Sequence, residues 1–446
     1  MYSEVRRAWL QQLIAERLSA EISLGVTEHP QRAYQLRHGG RFIETPAWDW
    51  GLGEAVVDCD EYDAHWEGWQ PALGRLMPAP GAKYLRKPLV ETVPDGCIVN
   101  YDILGLASWM LSRAEEFGRV DLDEHGRFPA TASHAYRHGY LGRPIVDEWF
   151  SLLRQVTRRV WPGMNLADVD FEMRVSHDVD RPSEYAFCGP KQLLRGMAVD
   201  LVRKRDVRSA ARRPWAWLWD RKLDAADPCN TFQWLMDLSE RRGLTSAFNF
   251  VCGRTEPRFD PHYEVDGPAI RDLIRSIHGR GHEIGLHPSY GTYLDAGAIR
   301  REARRLQRVC SEESASQDAW GGRMHYLRWS TPTTLWGWEN ADLAYDSTLG
   351  YADRTGFRCG TCFEYTALDP TALQPLRLRI RPLIAMDATV LSQSYMAMGA
   401  TVAAREELVK LKDSCRAVGG IFTLLWHNSS LTSREERRLY EDVLDA

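Results

Sequence analysis

The chain has 446 residues, enough for two or three domains rather than one core. Its 44% hydrophobic content is ordinary for a folded protein, and a net charge of −5 gives no overall attraction to nucleic acid. No apolar run of about 20 residues is present to span a bilayer, and nine scattered cysteines suit a reducing cytoplasm better than a disulfide framework.

The N-terminal stretch MYSEVRRAWLQQLIAERLSAEISLG has no apolar core of signal-peptide type, so a cytoplasmic protein is expected. Its Val5, Trp9, Leu10, Leu13, Ile14 and Leu18 recur at helical spacing. Residues 103–117 predict a helix with a buried face, and residues 145–161 predict another, stopped by Pro162-Gly163. That pair and the following Asn165–Asp168 mark the expected boundary between an N-terminal accessory domain (1–165) and a second domain (166–446).

From Phe171 the rhythm changes. Apolar runs at 171–175, 247–251, 282–286, 325–327 and 421–426 alternate with helical segments, one carrying Ile270, Leu273, Ile274 and Ile277 on a face and another Ile299, Ala303 and Leu306. Such alternation predicts an α/β domain with a parallel sheet or barrel. Near-continuous apolar runs such as Ile421–Trp426 predict strands buried on both faces.

One basic segment, 190–223, interrupts this order and contains Trp215-Ala-Trp-Leu-Trp219. It reads as a solvated helical hairpin with tryptophans docked on the domain, as a peripheral contact with an anionic membrane, or as the lining of a glycan groove. Cys359-Gly-Thr-Cys362 has no second pair to complete a structural zinc site, and extended chain follows it, so it reads as two ordinary cysteines.

Polar groups gather where the apolar runs end: Asp178 and Asp180, then His287, then Arg328, then His427. Asp178 and Asp180 are two residues apart, so on a strand both point to one face. Carboxylates that close repel unless a cation or a proton intervenes. In a parallel barrel the ends of successive strands share one mouth, where active sites sit.

Ser176-His-Asp-Val-Asp180, Gly281-His-Glu-Ile-Gly-Leu-His287, Arg323-Met-His-Tyr-Leu-Arg328 and Leu425-Trp-His-Asn428 follow the order of the motifs of NodB-like polysaccharide deacetylases (carbohydrate esterase family 4). The chain resembles that family over about residues 170–430. It is closest to a branch with an extra N-terminal domain, often encoded among surface-polysaccharide genes. Tyr345–Gly350, Gly356–Gly360, Leu111–Glu116 and Arg143–Glu148 are similar to segments of that branch.

The resemblance implies a distorted (β/α)7 barrel of NodB-like type preceded by a smaller α+β domain. It implies a hydrolase that removes an acetyl group, N-acetyl first, from a sugar or surface-polysaccharide precursor with the help of a divalent metal, zinc by expectation. Carried over by position, Asp178 resembles the general base, Asp180 and His287 the metal ligands, and His427 the acid that protonates the leaving amine. Arg328 resembles the arginine that keeps Asp178 ionised. Asp387, in Ala385-Met-Asp387, either orients His427 or another catalytic group or is a surface aspartate. Tyr290 and Trp426 are expected against the substrate; Arg358 either contacts it or closes a loop salt bridge. The expected partner is an acetylated carbohydrate, nucleotide-linked or lipid-linked, and not a nucleic acid.

One position departs from the family pattern. Four residues after His287 the family carries a second histidine, and here Gly291 stands. The missing ligand comes from His325, from Asp178 or from a substrate atom. His282 is a poor substitute, since on a strand it points away from His287. Two other readings stay open: a metal-free hydrolase of C–N bonds in a small amide or ureide, and a non-catalytic glycan-binding barrel. His177, on the opposite strand face from the aspartates, reads as a buried structural histidine.

Overall fold

A computed structural model describes residues 4–27, 33–48, 50–53, 56–81, 85, 87–203, 205–218 and 223–446, without the side chain of residue 66. The chain forms two compact units. The first comprises Met1–Met173, Leu349–Ala385 and Leu408–Thr423, and the second Arg174–Thr348, Met386–Glu407 and Leu424–Ala446.

In the first unit, helix α1 (Glu4–Arg17) is followed by β1 (Ser23–Val26), β2 (Ala33–His38), β3 (Arg41–Pro46), β4 (Cys59–Asp63), β5 (Leu76–Pro80), β6 (Val90–Val93) and β7 (Gly96–Val99). Five of these strands form a sheet in the order β1-β2-β3-β7-β6, and β4 pairs with β5. Helices α2 (Ile103–Leu111), α3 (His134–Arg137) and α4 (Ile145–Val160) follow. Helix α2 stops six residues short of the expected end, and its Asp102 N-cap accepts from Gly105 N. A short 3₁₀ turn, Ala114–Glu116, takes the rest, entered through Arg113 in the left-handed region (φ 55°).

The second unit carries the parallel strands β8 (Glu172–Val179), β9 (Ser246–Val251), β10 (Glu283–His287), β11 (Gly321–Gly322) and β12 (Tyr345–Asp346), side by side in the order β12-β11-β10-β9-β8. Between β8 and β9 lie α5 (Pro190–Val202), α6 (Val207–Leu218) and α7 (Phe232–Glu240). Helix α8 (Pro268–Gly279) precedes β10, α9 (Ala296–Glu312) follows it, and α10 (Thr333–Asn340) follows β11. Every residue of β9 is buried, as expected for a strand covered on both faces. Helix α8 starts with Pro268 at its first position and buries Ile270, Leu273, Ile274 and Ile277. Gly281, at φ 79°, then turns the chain into β10.

The remaining elements are the hairpin β13 (Tyr365–Asp369) and β14 (Gln374–Ile380), then β15 (Ala385–Met386), α11 (Asp387–Leu391), α12 (Val402–Ala417), β16 (Ile421–Leu425) and α13 (Arg434–Asp445). The end of β16 lies beside β8, with Trp426 N donating to Ser176 O at 2.9 Å.

One expected strand is absent. Residues 325–327 form a 3₁₀ turn, and the strand at this place is Gly321-Gly322, four residues earlier. A Cβ on Gly322 would lie 1.9 Å from Leu286 O, and one on Gly321 would lie 2.3 Å from the Tyr345 ring. Only glycine fits between the neighbouring strands, so apolar pattern gave no sign of this one. The chain then turns through Tyr326 (φ 62°) and Leu327 (φ 55°), both left-handed. The basic segment is the helical pair α5–α6; Lys204, Trp219, Arg221 and Lys222 of that segment lie outside the described residues.

Candidate active site

Strand register builds the site. Asp178 on β8 is level with Asn249 on β9, which is level with Gly285 on β10. A Cβ at position 285 would lie 1.9 Å from Asn249 Oδ1, so the glycine makes room for the amide. Asn249 Nδ2 donates to Asp178 Oδ1 at 2.7 Å.

The same carboxylate oxygen accepts from Arg323 Nη1 at 2.9 Å. Arg323 directly follows β11 and is fully buried. Its remaining donors go to Ser347 O (2.9 Å), Ser176 Oγ (3.0 Å) and Ser347 Oγ (3.0 Å). Burial raises the Asp178 pKa, but Arg323, His287 and His427 outweigh it and hold the group below its ordinary value. Asp178 is therefore a buried, ionised carboxylate with Oδ1 saturated and Oδ2 facing His287 Nε2 at 3.7 Å.

Three donors converge beside it: a carboxylate oxygen of Asp180, with one ring nitrogen each from His287 and His325. His287 Nδ1 donates to Arg323 O at 2.6 Å, and His325 Nδ1 donates to Asp260 Oδ1 at 2.9 Å. With Nδ1 engaged in this way, each ring turns Nε2 toward Asp180 Oδ1, in the arrangement that orients metal-binding histidines. Asp180 Oδ1 lies 3.3 Å from His287 Nε2 and 3.6 Å from His325 Nε2, and this buried oxygen accepts no hydrogen bond. Two ligand atoms about 2.1 Å from a tetrahedral centre would lie about 3.4 Å apart. The observed spacings therefore fit a cation, and the orphaned oxygen lacks any other partner. His325, not Gly291, supplies the third donor of this set. A Cβ on Gly291 would meet Thr255 at 3.1 Å.

His427 stands on the other side of Asp180, with Nε2 3.5 Å from Asp180 Oδ2. Its Nδ1 donates to Asp387 Oδ1 at 2.7 Å, and its backbone N–H donates to Oδ2 of the same carboxylate at 3.0 Å. Burial lowers the His427 pKa, but Asp387, Asp180 and Asp178 together push it up to about 10. The ring is thus an imidazolium at neutral pH with its second N–H directed at the cluster. Asp180 itself is held well below the usual carboxylate range; burial opposes this, and His325, His287 and His427 prevail.

The other expected residues take different places. The arginine paired with Asp178 is Arg323, which corrects the expectation for Arg328. Arg328 donates to Tyr290 O at 2.8 Å and lies over the Tyr290 and Tyr293 rings at 3.9 and 3.8 Å. Tyr290 stacks on Phe259 (4.3 Å) and meets Tyr326 edge-on (5.3 Å), while Tyr326 meets His325 at 4.8 Å. These rings form a half-buried aromatic shelf reaching His325. Trp426 is fully buried and packs on Tyr440; its carbonyl accepts from His177 Nδ1 at 2.7 Å. Arg358 lies in the first unit, buried in a bidentate pair with Glu116 (2.9 and 2.7 Å), which is the salt-bridge alternative. His282 is engaged at the far end of its strand, accepting from Ser246 N at 3.1 Å.

Sequence reasoning passed over Asn249, Arg323 and Asp260. A lone asparagine inside the apolar run 247–251 was a legible signal, because a buried amide needs a partner. Arg323 opened a motif that ends in a second arginine, and spacing alone does not separate the two. Asp260 sits in a loop, with no pattern to mark it; it also accepts from Tyr290 N (2.7 Å) and binds Glu256 N (2.8 Å).

A cavity of about 440 Å³ opens beside Asp180, lined among others by Arg181, Phe187, Arg195, Arg213 and Tyr263. Its size is that of a small-molecule site.

Residues 58–162 match the model of DUF7033, a family of unknown function. No curated protein matches the chain. Among solved structures, the chain is similar to a candidate polysaccharide deacetylase from Mycobacterium smegmatis (17% identity, TM-score 0.39, covering 63% of this chain and 85% of that one). It is also similar to Puue allantoinase (14%, TM-score 0.37, 64% and 85%) and to a candidate polysaccharide deacetylase from Pseudomonas aeruginosa PAO1 (15%, TM-score 0.38, 64% and 86%).

Proposed function

We propose that this chain is a metal-dependent hydrolase of the NodB-like polysaccharide deacetylase type, built on a distorted (β/α)7 barrel with an additional N-terminal domain. Its reaction is removal of an N-acetyl group from a sugar of a surface-polysaccharide precursor in the cytoplasm. The observation that carries the reading is the convergence of Asp178 and His427 on the Asp180–His287–His325 donor set, with Asp178 Oδ2 3.7 Å from His287 Nε2 and His427 Nε2 3.5 Å from Asp180 Oδ2.

Two imidazole nitrogens and one carboxylate are a donor set that suits zinc. A divalent cation held there supplies Lewis acidity and makes a water more acidic. The chain's own residues then divide the proton transfers. Asp178 accepts a proton from the attacking water at Oδ2, since Oδ1 is occupied by Arg323 and Asn249. His427 delivers its Nε2 proton to the amine nitrogen as the C–N bond breaks, giving acetate and a free amino sugar. Asp387 fixes the tautomer and holds the ring in place.

The test is acetate release from N-acetylated amino-sugar donors, nucleotide-linked and lipid-linked, by the zinc-loaded protein. Asp178→Asn and His427→Ala should each reduce kcat about 10²- to 10⁴-fold, the usual contribution of a positioned acid or base. Acetate release that survives exhaustive chelation would favour the metal-free C–N hydrolase. Glycan binding without turnover, unchanged in both variants, would favour the non-catalytic barrel.

A further inference from the structure

The α5–α6 pair exposes positive charge and large apolar side chains together. Lys191, Arg195, Arg203, Arg205, Arg208 and Arg212 are all exposed, and none forms an ion pair among the described residues. The two acidic residues of the stretch are turned to structural use. Asp200 is buried against Arg213, and Asp206 accepts from the Ser209 backbone N–H and hydroxyl (3.0 and 2.6 Å) at the start of α6.

Leu194, Leu201, Val202, Val207, Trp215 and Leu218 are 46–80% exposed. On α5, Lys191, Leu194, Ala198 and Leu201 fall at spacings of three, four and three, which is one helix face. On α6, Arg208, Ala211, Trp215 and Leu218 repeat that spacing. Each helix therefore offers solvent a stripe that begins with a cation and continues with apolar groups. The whole chain carries a net charge of −5, so this local excess of cations is not a reflection of overall composition.

We infer that α5–α6 docks on the surface of an anionic lipid bilayer, with Trp215 and the exposed leucines and valines entering the interface. A bilayer surface meets both needs at once, since its anionic headgroups attract the six cations and its acyl boundary takes the apolar side chains. A second copy of the same face would bring like charges together. No helix of the described residues is long and apolar enough to cross a membrane, so the contact is peripheral.

The pair is anchored to the neighbourhood of Asp180. Arg213 of α6 donates to Glu184 O (2.9 Å) and to the Glu184 carboxylate (3.0 Å), four residues beyond Asp180. Gln192, Arg195, Gly196 and Val199 of α5 line the cavity that Asp180 also lines. A bilayer on α5–α6 thus lies alongside the cavity, and, resting on the hydrolase reading above, the substrate is a lipid-linked acetamido sugar.

Sedimentation of the full chain with phosphatidylcholine vesicles, with and without phosphatidylglycerol, tests the contact. Binding should require the anionic lipid, weaken with added salt, and fall about tenfold or more in both Trp215→Glu/Leu218→Glu and Arg208→Glu/Arg212→Glu, with circular dichroism unchanged. Failure to bind anionic vesicles, or unchanged binding in both double variants, would overturn the inference. So would self-association that Trp215→Glu/Leu218→Glu abolishes, which makes the face an interface between copies. The substrate is read separately. The apolar double variant should lose turnover of a lipid-linked acetamido sugar in vesicles but keep that of a soluble N-acetylated sugar; equal loss on both overturns the lipid-linked assignment. Vesicle binding involves no hydrolysis, so its outcome is independent of whether acetate is released.

Discussion

Replacing Arg323 with methionine removes a fully buried guanidinium that makes four hydrogen bonds, one of them to a carboxylate whose side chain is 3% exposed. Methionine fills the stem but leaves Asp178 charged and without its cation. Breaking a buried pair on one side costs about 3–5 kcal/mol. For a unit of some 150–250 residues each kcal/mol lowers Tm by about 2–4 °C, so Arg323→Met should melt about 6–20 °C below the parent. Part of that cost is the stranded charge. Adding Asp178→Asn should return it, and a double-mutant cycle should show coupling of about 1–3 kcal/mol. With the cation gone, less opposes burial and the Asp178 pKa rises, so the acid limb of any pH–rate profile should move to higher pH. Arg328→Met is the comparison: that side chain is half-buried between two tyrosine rings, and its loss should cost about 1–2 kcal/mol. Thermal melts by circular dichroism, with activity against pH, decide the matter. A Tm shift no larger than that of Arg328→Met, or strictly additive single variants, would refute the assignment of Arg323 as the partner of Asp178.

Gly285→Ala places a Cβ 1.9 Å from Asn249 Oδ1; the amide must move, and stability should drop by about 1–3 kcal/mol in chemical denaturation, whereas a neutral result would show that the Asn249 contact is dispensable. His325→Ala should weaken zinc binding by more than the about 10- to 100-fold lost with an outer-shell partner, read in a competition titration, and adding Gly291→His should not restore it, because that position faces Thr255; recovery of affinity would return the third-ligand role to position 291. Burial pushes the His177 pKa down to about 4. The unfolded ring, near 6.5, takes up its proton first, so stability should fall by up to about 3 kcal/mol as pH drops from 6.5 to 4. His177→Gln should flatten that slope in urea titrations, and an unchanged slope would assign the pH dependence to other groups.

Much of the site is legible in the sequence, because chemistry-bearing residues stand at the ends of apolar runs. Asp178 and Asp180 share a strand face by the two-residue period, and His287 and His427 close two further strands. Parallel strands bring such ends together whatever helices intervene. Helices α8 and α9 were legible from their apolar faces for the same local reason.

Three features depended on tertiary structure. The choice of Arg323 over Arg328 follows from where the chain leaves β11, and two glycines without side chains give that strand no pattern. The third donor, His325, depends on a turn in which Tyr326 and Leu327 adopt left-handed angles, a conformation that their residue types disfavour. The support of Asp178 by Asn249 depends on register and on the absence of a side chain at position 285. Periodicity along one strand states which face a residue takes. Which neighbour stands beside it is decided only when strands distant in sequence align, and that alignment selected the partner of each carboxylate here.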